Sequence, residues 1–285
     1  MPLEVFDNSM LSGFKACPRK FFYRFKKHLI KASEETLDAP ILFGQAMHLA
    51  MEAWYLTKDA QQMDKAFLDY FLPFKDCDAK GLRTVEKGIT ILHQYRENYP
   101  LANEAFTVQE KNVEIGFVAE LSKDYLYCGR IDLLVDWNLM FNGPVIIDHK
   151  FSSSKGYLCI TPNHQLDGYI WGVSELTKQN VKGALLNIVY IGKGLKTNTF
   201  ERHMAYRTPE DIQKWKQSTL SWLSLLSECE QKDNWPMNTG SCGAFFRDCE
   251  YKPLCVSQTT KEHDALEELY PISEWIPYPE LKGEK

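Results

Sequence analysis

Two acids and a lysine set the chemistry open to this chain. Asp148 and Lys150 close the run Val145-Ile146-Ile147-Asp148-His149-Lys150-Phe151, and Asp132 sits in the earlier run Cys128-Gly129-Arg130-Ile131-Asp132-Leu133-Leu134-Val135-Asp136. Residues two apart on a strand share a face, so Asp148 and Lys150 point together while Ile147, His149 and Phe151 point away. Both runs are rich in β-branched and aliphatic residues, and Asn142-Gly143-Pro144 between them is turn chemistry, so two antiparallel strands are expected. With the hairpin centred near Met140, Asp132 falls opposite Asp148 and points the same way. Two carboxylates beside a lysine at the end of an apolar hairpin are costly to bury unless a divalent cation lies between them.

Further groups stand elsewhere along the chain. His48 lies in a helix that begins at Phe43-Gly44-Gln45-Ala46-Met47-His48 and runs through Met51, Trp54 and Tyr55. A neutral imidazole added to two carboxylates makes a mixed nitrogen and oxygen site suited to magnesium or manganese. Glu110, on a strand over Phe106–Val118 that sets Val108, Glu110, Asn112 and Glu114 on one face, is a weaker supporting carboxylate, because charged residues on an outer strand face are common. Gln165 and Tyr169 are four apart on a helix opening after Pro162 and share a face. Cys242, Cys249 and Cys255 fall within fourteen residues. Four thiolates complete a structural zinc or a 4Fe-4S cluster, so a fourth ligand must come from elsewhere, and Cys17 is the candidate. From Lys15 to Lys31 the chain carries Lys15, Arg19, Lys20, Arg24, Lys26, Lys27 and Lys31 without one acid, a strip able to meet phosphates or simply to be a solvated helix face.

Taken in order, these residues resemble a known family. Gly129-x-Ile131-Asp132, then after some fifteen residues apolar-apolar-Asp148-x-Lys150, is similar to the PD-(D/E)xK nuclease motif. Gly44-x-x-x-His48 ahead of it, Gln165-x-x-x-Tyr169 behind it, and the opening Ser9-x-Leu11-x-x-Phe14-x-x-Cys17-Pro18-x-x-Phe21 resemble the RecB-like branch that includes AddB and the CRISPR-associated exonucleases. That resemblance implies Asp132, Asp148 and Lys150 as catalytic residues. It implies His48, Asp132, Asp148 and the backbone carbonyl of His149 as ligands of one or two Mg2+ or Mn2+ ions. It implies Cys17, Cys242, Cys249 and Cys255 as holders of a 4Fe-4S cluster, with zinc as the lesser alternative. The local spacing of six and then five residues between the last three cysteines departs from the family's usual two or five and then five. Gln165 and Tyr169, with Arg19 and Lys20 of the basic strip, are implied as DNA contacts.

The elements that must position these groups imply an α/β fold, a restriction-endonuclease-like mixed central sheet flanked by helices. One nuclease domain over 1–285 is expected, with a helical insertion over 50–105, a core over 106–230, and a cysteine region over 235–256 closing on Cys17. Ser9 is expected to cap the first helix, with a restart at Pro18. Gly183–Gly192 and Phe200–Tyr206 read as further strands, and Pro209–Cys229 as a helix. Ser152–Gly156 reads as a polar loop, and the tail beyond Lys261 as acidic and then extended around Pro271, Pro277 and Pro279.

Composition limits the partners. Of 285 residues, 44% are hydrophobic and 25% charged, ordinary for a soluble globular protein, and the net charge of −5 excludes a uniformly basic coat. No apolar run reaches the ~18 residues of a membrane span and the first residues do not read as a signal peptide, so a cytoplasmic location is expected. Eight cysteines there argue for metal ligation over disulfides. The expected function is a metal-dependent, sequence-independent DNA exonuclease acting on single-stranded ends in recombination, repair or phage replication. The alternatives are a catalytically inactive DNA-binding or scaffold protein of the same fold, and a zinc-ribbon-like module that would need the cysteines and none of the acids.

Overall fold

The structure, a computed structural model, describes residues 3–30, 39–78, 81–139, 142–154, 159–243 and 248–277. Lys31 of the basic run, Met140 at the hairpin centre, Lys155 and Gly156 of the polar loop, Phe245 between the cysteines, and Tyr278 and Pro279 of the tail lie outside the described residues. Where one body over 1–285 was expected, the chain divides into two compact units. One comprises Met1–Thr36, Glu120–Gly129 and Gln213–Lys285, the other Leu37–Ala119 and Arg130–Ile212. The division cuts through two strands and a helix, which is why no linker in the sequence announces it.

In the first unit, a short strand β1 (Glu4–Phe6) pairs in parallel with the start of β3 (Tyr125–Trp137). Helix α1 (Asn8–Ala16) is capped by Asp7, whose Oδ1 accepts from the Met10 N–H at 2.7 Å, not by Ser9 as expected. Leu11 and Phe14 of α1 are buried, and the chain turns at Cys17 before α2 (Pro18–Phe21) restarts with proline in its first turn. A π-helical turn, Phe22–Lys26, follows. Helices α8 (Lys252–Val256) and α9 (Thr260–Glu267) complete this unit, together with most of α7 (Pro209–Gln231). Tyr23, Leu29, Tyr251 and Leu254 form its small core.

The second unit holds a mixed sheet. β2 (Phe106–Glu120) pairs with β3, which runs antiparallel to β4 (Gly143–Ser152). β4 is parallel to β5 (Gly183–Tyr190), and β5 antiparallel to β6 (Thr199–Tyr206). Parallel neighbours need a crossover, and α6 (His164–Thr177) supplies it. β5 is buried at every residue, as its mostly apolar sequence requires of a strand covered on both faces, and Asn187 is the polar exception. Leu133 and Val135, Val145 and Ile147, Leu185 and Val189 present one sheet face to α3 (Ala39–Thr57), α4 (Ala60–Phe71) and α5 (Val85–Asn98). The expected insertion over 50–105 is therefore redrawn: α3 starts eleven residues earlier, at Ala39, and these helices close the main core. Among the described residues no helix is long and apolar enough to cross a membrane.

Candidate active site

The β3–β4 hairpin has the register that alternation and turn placement imply. Leu133 pairs with Ile147 and Val135 with Val145, and one further step sets Asp132 against Asp148. There the ladder gives way to side chains: Oδ2 of Asp132 accepts from the backbone N–H of His149 at 2.6 Å. The other oxygen, Oδ1, stands 3.2 Å from Nδ1 of His48, brought in on α3. Residues with both backbone groups on one strand edge turn N–H and C=O the same way, so the His149 carbonyl faces the β3 side as well.

A third acid joins them. Glu114 lies within β2 at φ +52°, a left-handed conformation that a non-glycine residue seldom adopts. A turn of this kind breaks two-residue alternation and re-aims the side chain. One donor atom each from His48, Glu114 and Asp132 lies within 4.8 Å of the others. The sequence pointed to Glu110 for this support, but Glu110 is exposed and Glu114 takes the place. In a regular strand the two would share a face, two alternations apart, but the left-handed conformation at Glu114 breaks that period, so alternation alone does not select it.

Asp148 and Lys150 form the adjoining pair. Nζ of Lys150 is 2.8 Å from Oδ2 and 3.1 Å from Oδ1 of Asp148, which is buried. Burial works against the lysine's charge, but Asp148 outweighs it and holds the ammonium above its ordinary pKa. The two acids separate electrostatically. Burial would raise Asp132, yet His48 and the His149 N–H hold it well below the usual carboxylate range. Asp148 is raised, by burial first and by the charge of Asp132, against the pull of Lys150. Glu114 is pushed up to about 7 by burial and by Asp132. The His149 imidazole points away from these groups, and burial drops it to about 3, so it is neutral.

A set of one imidazole and two carboxylates converging on one point, with a further carboxylate and a lysine beside it, matches the donors a hard or borderline divalent ion takes. Without such an ion three partly buried groups of the same polar kind would crowd together, as the raised Glu114 registers.

The other expected contacts have different outcomes. Gln165 and Tyr169 meet on α6, Nε2 donating to the phenol oxygen at 3.0 Å, and Tyr169 lies edge-on to Phe117 of β2. Arg19 and Lys20 lie in the first unit and turn inward: Nε of Arg19 donates to the Trp235 carbonyl at 2.8 Å, and Lys20 pairs with Glu250 at 2.8 Å. The rest of the strip is similarly engaged. Lys26 pairs with Glu4 and Glu230, Lys27 with Glu267 at 2.6 Å, and Arg24 caps the Ser273 carbonyl over the Trp275 ring. The run has no acid of its own, but Lys20, Lys26 and Lys27 pair with acids distant in sequence. Cys17, Cys242, Cys249 and Cys255 line one pocket with Lys20, Asn238 and Tyr251. The Asn238 N–H reaches the Cys17 sulfur at 3.4 Å, and Cys255 is pushed up to about 11 by burial and by the three neighbouring sulfurs, against Arg19.

Comparison with known proteins agrees with this geometry. The PD-(D/E)XK nuclease superfamily matches residues 8–256 of the chain. The solved structure named "Putative exonuclease" from Eubacterium rectale is similar at a TM-score of 0.54 and 11% identity, over 84% of this chain and 86% of that one. A solved structure designated SSO0001 aligns at a TM-score of 0.43 and 16% identity, over 91% of this chain and 90% of that one. No curated protein matches the chain.

Proposed function

The chain belongs to the PD-(D/E)XK nuclease superfamily, and from that premise we propose that it is a metal-dependent deoxyribonuclease, a sequence-independent exonuclease acting on single-stranded DNA ends. The observation that carries this reading is the convergence of His48, Glu114 and Asp132 within 4.8 Å, beside the Asp148–Lys150 pair. His48, Glu114 and Asp132, with Asp148 and the His149 carbonyl, would hold Mg2+ or Mn2+. When bound, such an ion polarises the scissile phosphate and lowers the pKa of the attacking water.

The chain's own residues supply the rest. Lys150, kept charged by Asp148, places a cation where negative charge develops on the phosphate and orients the attacking water. Asp148 in turn keeps Lys150 aimed, since both carboxylate oxygens lie within reach of Nζ. The His149 N–H fixes one oxygen of Asp132 and leaves the other turned toward His48. Tyr169, half-buried and tied to Gln165, offers a ring on which an unpaired base stacks for about 1–3 kcal/mol, a contact that duplex ends do not provide.

The cysteine pocket supports a metal cluster of its own. Four cysteines lining one pocket are the complement of a 4Fe-4S cluster, with zinc as the lesser alternative. The reading is tested by incubating purified protein with end-labelled single- and double-stranded DNA, linear and circular, with Mn2+. Release of mononucleotides or short fragments from linear single strands is expected; cutting confined to closed circular duplex at a fixed sequence would point to a site-specific endonuclease, and no cutting of any DNA to an inactive relative.

A further inference from the structure

Behind the site, three polar residues stand in a row across three strands. The sheet register pairs His149 of β4 with Asn187 of β5, and Asn187 with Arg202 of β6. His149 and Asn187 are both 1% exposed, on a sheet face otherwise filled by Leu, Ile and Val. Burying such groups is unfavourable unless every one is bonded, and an apolar trio would continue the core without that cost.

The bonds have one consistent direction. Arg202 grips Glu104 with two parallel bonds, Nη1 to Oε2 at 2.6 Å and Nη2 to Oε1 at 2.8 Å, and its guanidinium lies 3.6 Å above the Tyr99 ring. Its remaining Nε donates to Oδ1 of Asn187 at 3.1 Å. A guanidinium has no acceptor, so this bond reads the amide's oxygen and fixes which way Asn187 faces. The Asn187 Nδ2 must then point the other way, where it donates to Nδ1 of His149 at 2.7 Å and to the Tyr95 oxygen at 2.8 Å. That oxygen also receives Nη2 of Arg202 at 3.2 Å, so the Tyr95 proton goes on to Tyr55, 2.8 Å away. The Tyr55 ring stacks on the His149 imidazole at 5.8 Å and 21°. Because Nδ1 of His149 accepts, its proton is on Nε2, a buried atom with no hydrogen-bond partner among the described residues.

We propose that Glu104, Arg202 and Asn187 are positioning residues: they lock the His149 side chain in the Nε2–H tautomer, and through it hold the peptide between Asp148 and Lys150 so that its N–H orients Asp132. The lever is the 2.6 Å bond from the His149 N–H to Oδ2 of Asp132. This inference rests on the nuclease reading for its consequence in catalysis, and on geometry alone for the tautomer.

Two variants and two activity-free readouts test it. Asn187→Asp keeps the shape and the Arg202 bond but turns an acceptor toward His149, so the proton must move to Nδ1. Arg202→Lys keeps the charge but cannot grip Glu104 and donate to Asn187 at once. Nitrogen-15 histidine NMR should place the wild-type His149 proton on Nε2 and move it in Asn187→Asp. Mn2+ affinity, by calorimetry, should fall about tenfold or more in both variants, as when a bonded partner of a metal ligand is lost. kcat per folded enzyme should fall comparably with KM for DNA unchanged, the folded fraction being measured separately because a loss of folded protein lowers the apparent kcat in the same way. A wild-type proton on Nδ1, or variants that bind Mn2+ like wild type, would overturn the proposal. If neither variant folds, the wild-type tautomer decides. If no form cuts DNA while the tautomer and Mn2+ results come out as stated, the nuclease reading fails and the positioning role stands.

Discussion

Nδ1 of His48 and Oδ1 of Asp132 face each other across 3.2 Å, one carried by a helix and the other by a strand. Burial disfavours the imidazolium, but Asp132 outweighs it and raises His48 above its ordinary pKa, while His48 lowers Asp132. A proton on His48 and a divalent cation compete for the same ring nitrogen and carboxylate. Metal binding and proton release at this site are therefore linked.

Mn2+ affinity should rise as pH rises through about 7, the value to which Glu114 is pushed up. The folded, metal-free protein holds the Glu114 proton more tightly than the unfolded chain, whose glutamate titrates near 4.5. In EDTA its stability should accordingly fall as pH climbs from 4.5 through about 7, and Mn2+ should reverse that fall. Glu114→Gln should flatten both dependences, measured by titration calorimetry and thermal unfolding across pH. An unchanged pH dependence of Mn2+ affinity in the variant would remove Glu114 from the site.

Asp148→Asn and Lys150→Ala should each slow DNA cleavage about a hundredfold or more, as loss of one charge-stabilising donor does. Asp148 is buried and each variant leaves one member of its ion pair without the other, so thermal midpoints should fall as well, and rates are to be compared well below them. Steady-state rates on labelled single strands check this, and cleavage at the wild-type rate by either variant would refute their assignment.

The hairpin was legible because Asp132, Asp148 and Lys150 obey a two-residue period on two strands whose ladder runs up to Trp137 and Gly143, and local periodicity is what a sequence displays directly. Glu114 was not, because its φ of +52° breaks that period without a glycine to mark it. The basic run was readable as charge but not as partnership: Glu230, Glu250 and Glu267, which neutralise Lys26, Lys20 and Lys27, arrive only through folding. The row of His149, Asn187 and Arg202 was hidden for the same reason, since strand register across β4, β5 and β6 brings together residues far apart in the chain.

Gly172→Ala should destabilise the second unit by about 1–3 kcal/mol, the usual cost of forcing a methyl into a filled core. A Cβ at this position would lie 2.0 Å from Cε2 of Phe117. The ring cannot retreat freely, because it sits edge-on to Tyr169 at 6.1 Å. Thermal or urea unfolding should show the loss, and wild-type stability would mean that Phe117 moves aside without strain.

Cys17→Ser and Cys249→Ser should each lower thermal stability and discharge the metal of the cysteine pocket. Cys17 comes from the turn between α1 and α2, whereas Cys242, Cys249 and Cys255 come from the far end of the chain, yet all four line one pocket. A metal held across so long a loop removes chain entropy from the unfolded state, and its binding free energy becomes folding free energy. Burial favours the neutral thiol at Cys249 and pushes Cys255 up to about 11, so a cationic centre is needed to stabilise four thiolates together. Protein purified without oxygen should be brown and contain iron, and both serine variants should be colourless with a lower unfolding temperature. Colourless wild-type protein with an equivalent of zinc would keep the staple and change its metal. Wild-type protein that is metal-free, and no more stable than Cys17→Ser, would leave the pocket as four thiols with no ligand to hold.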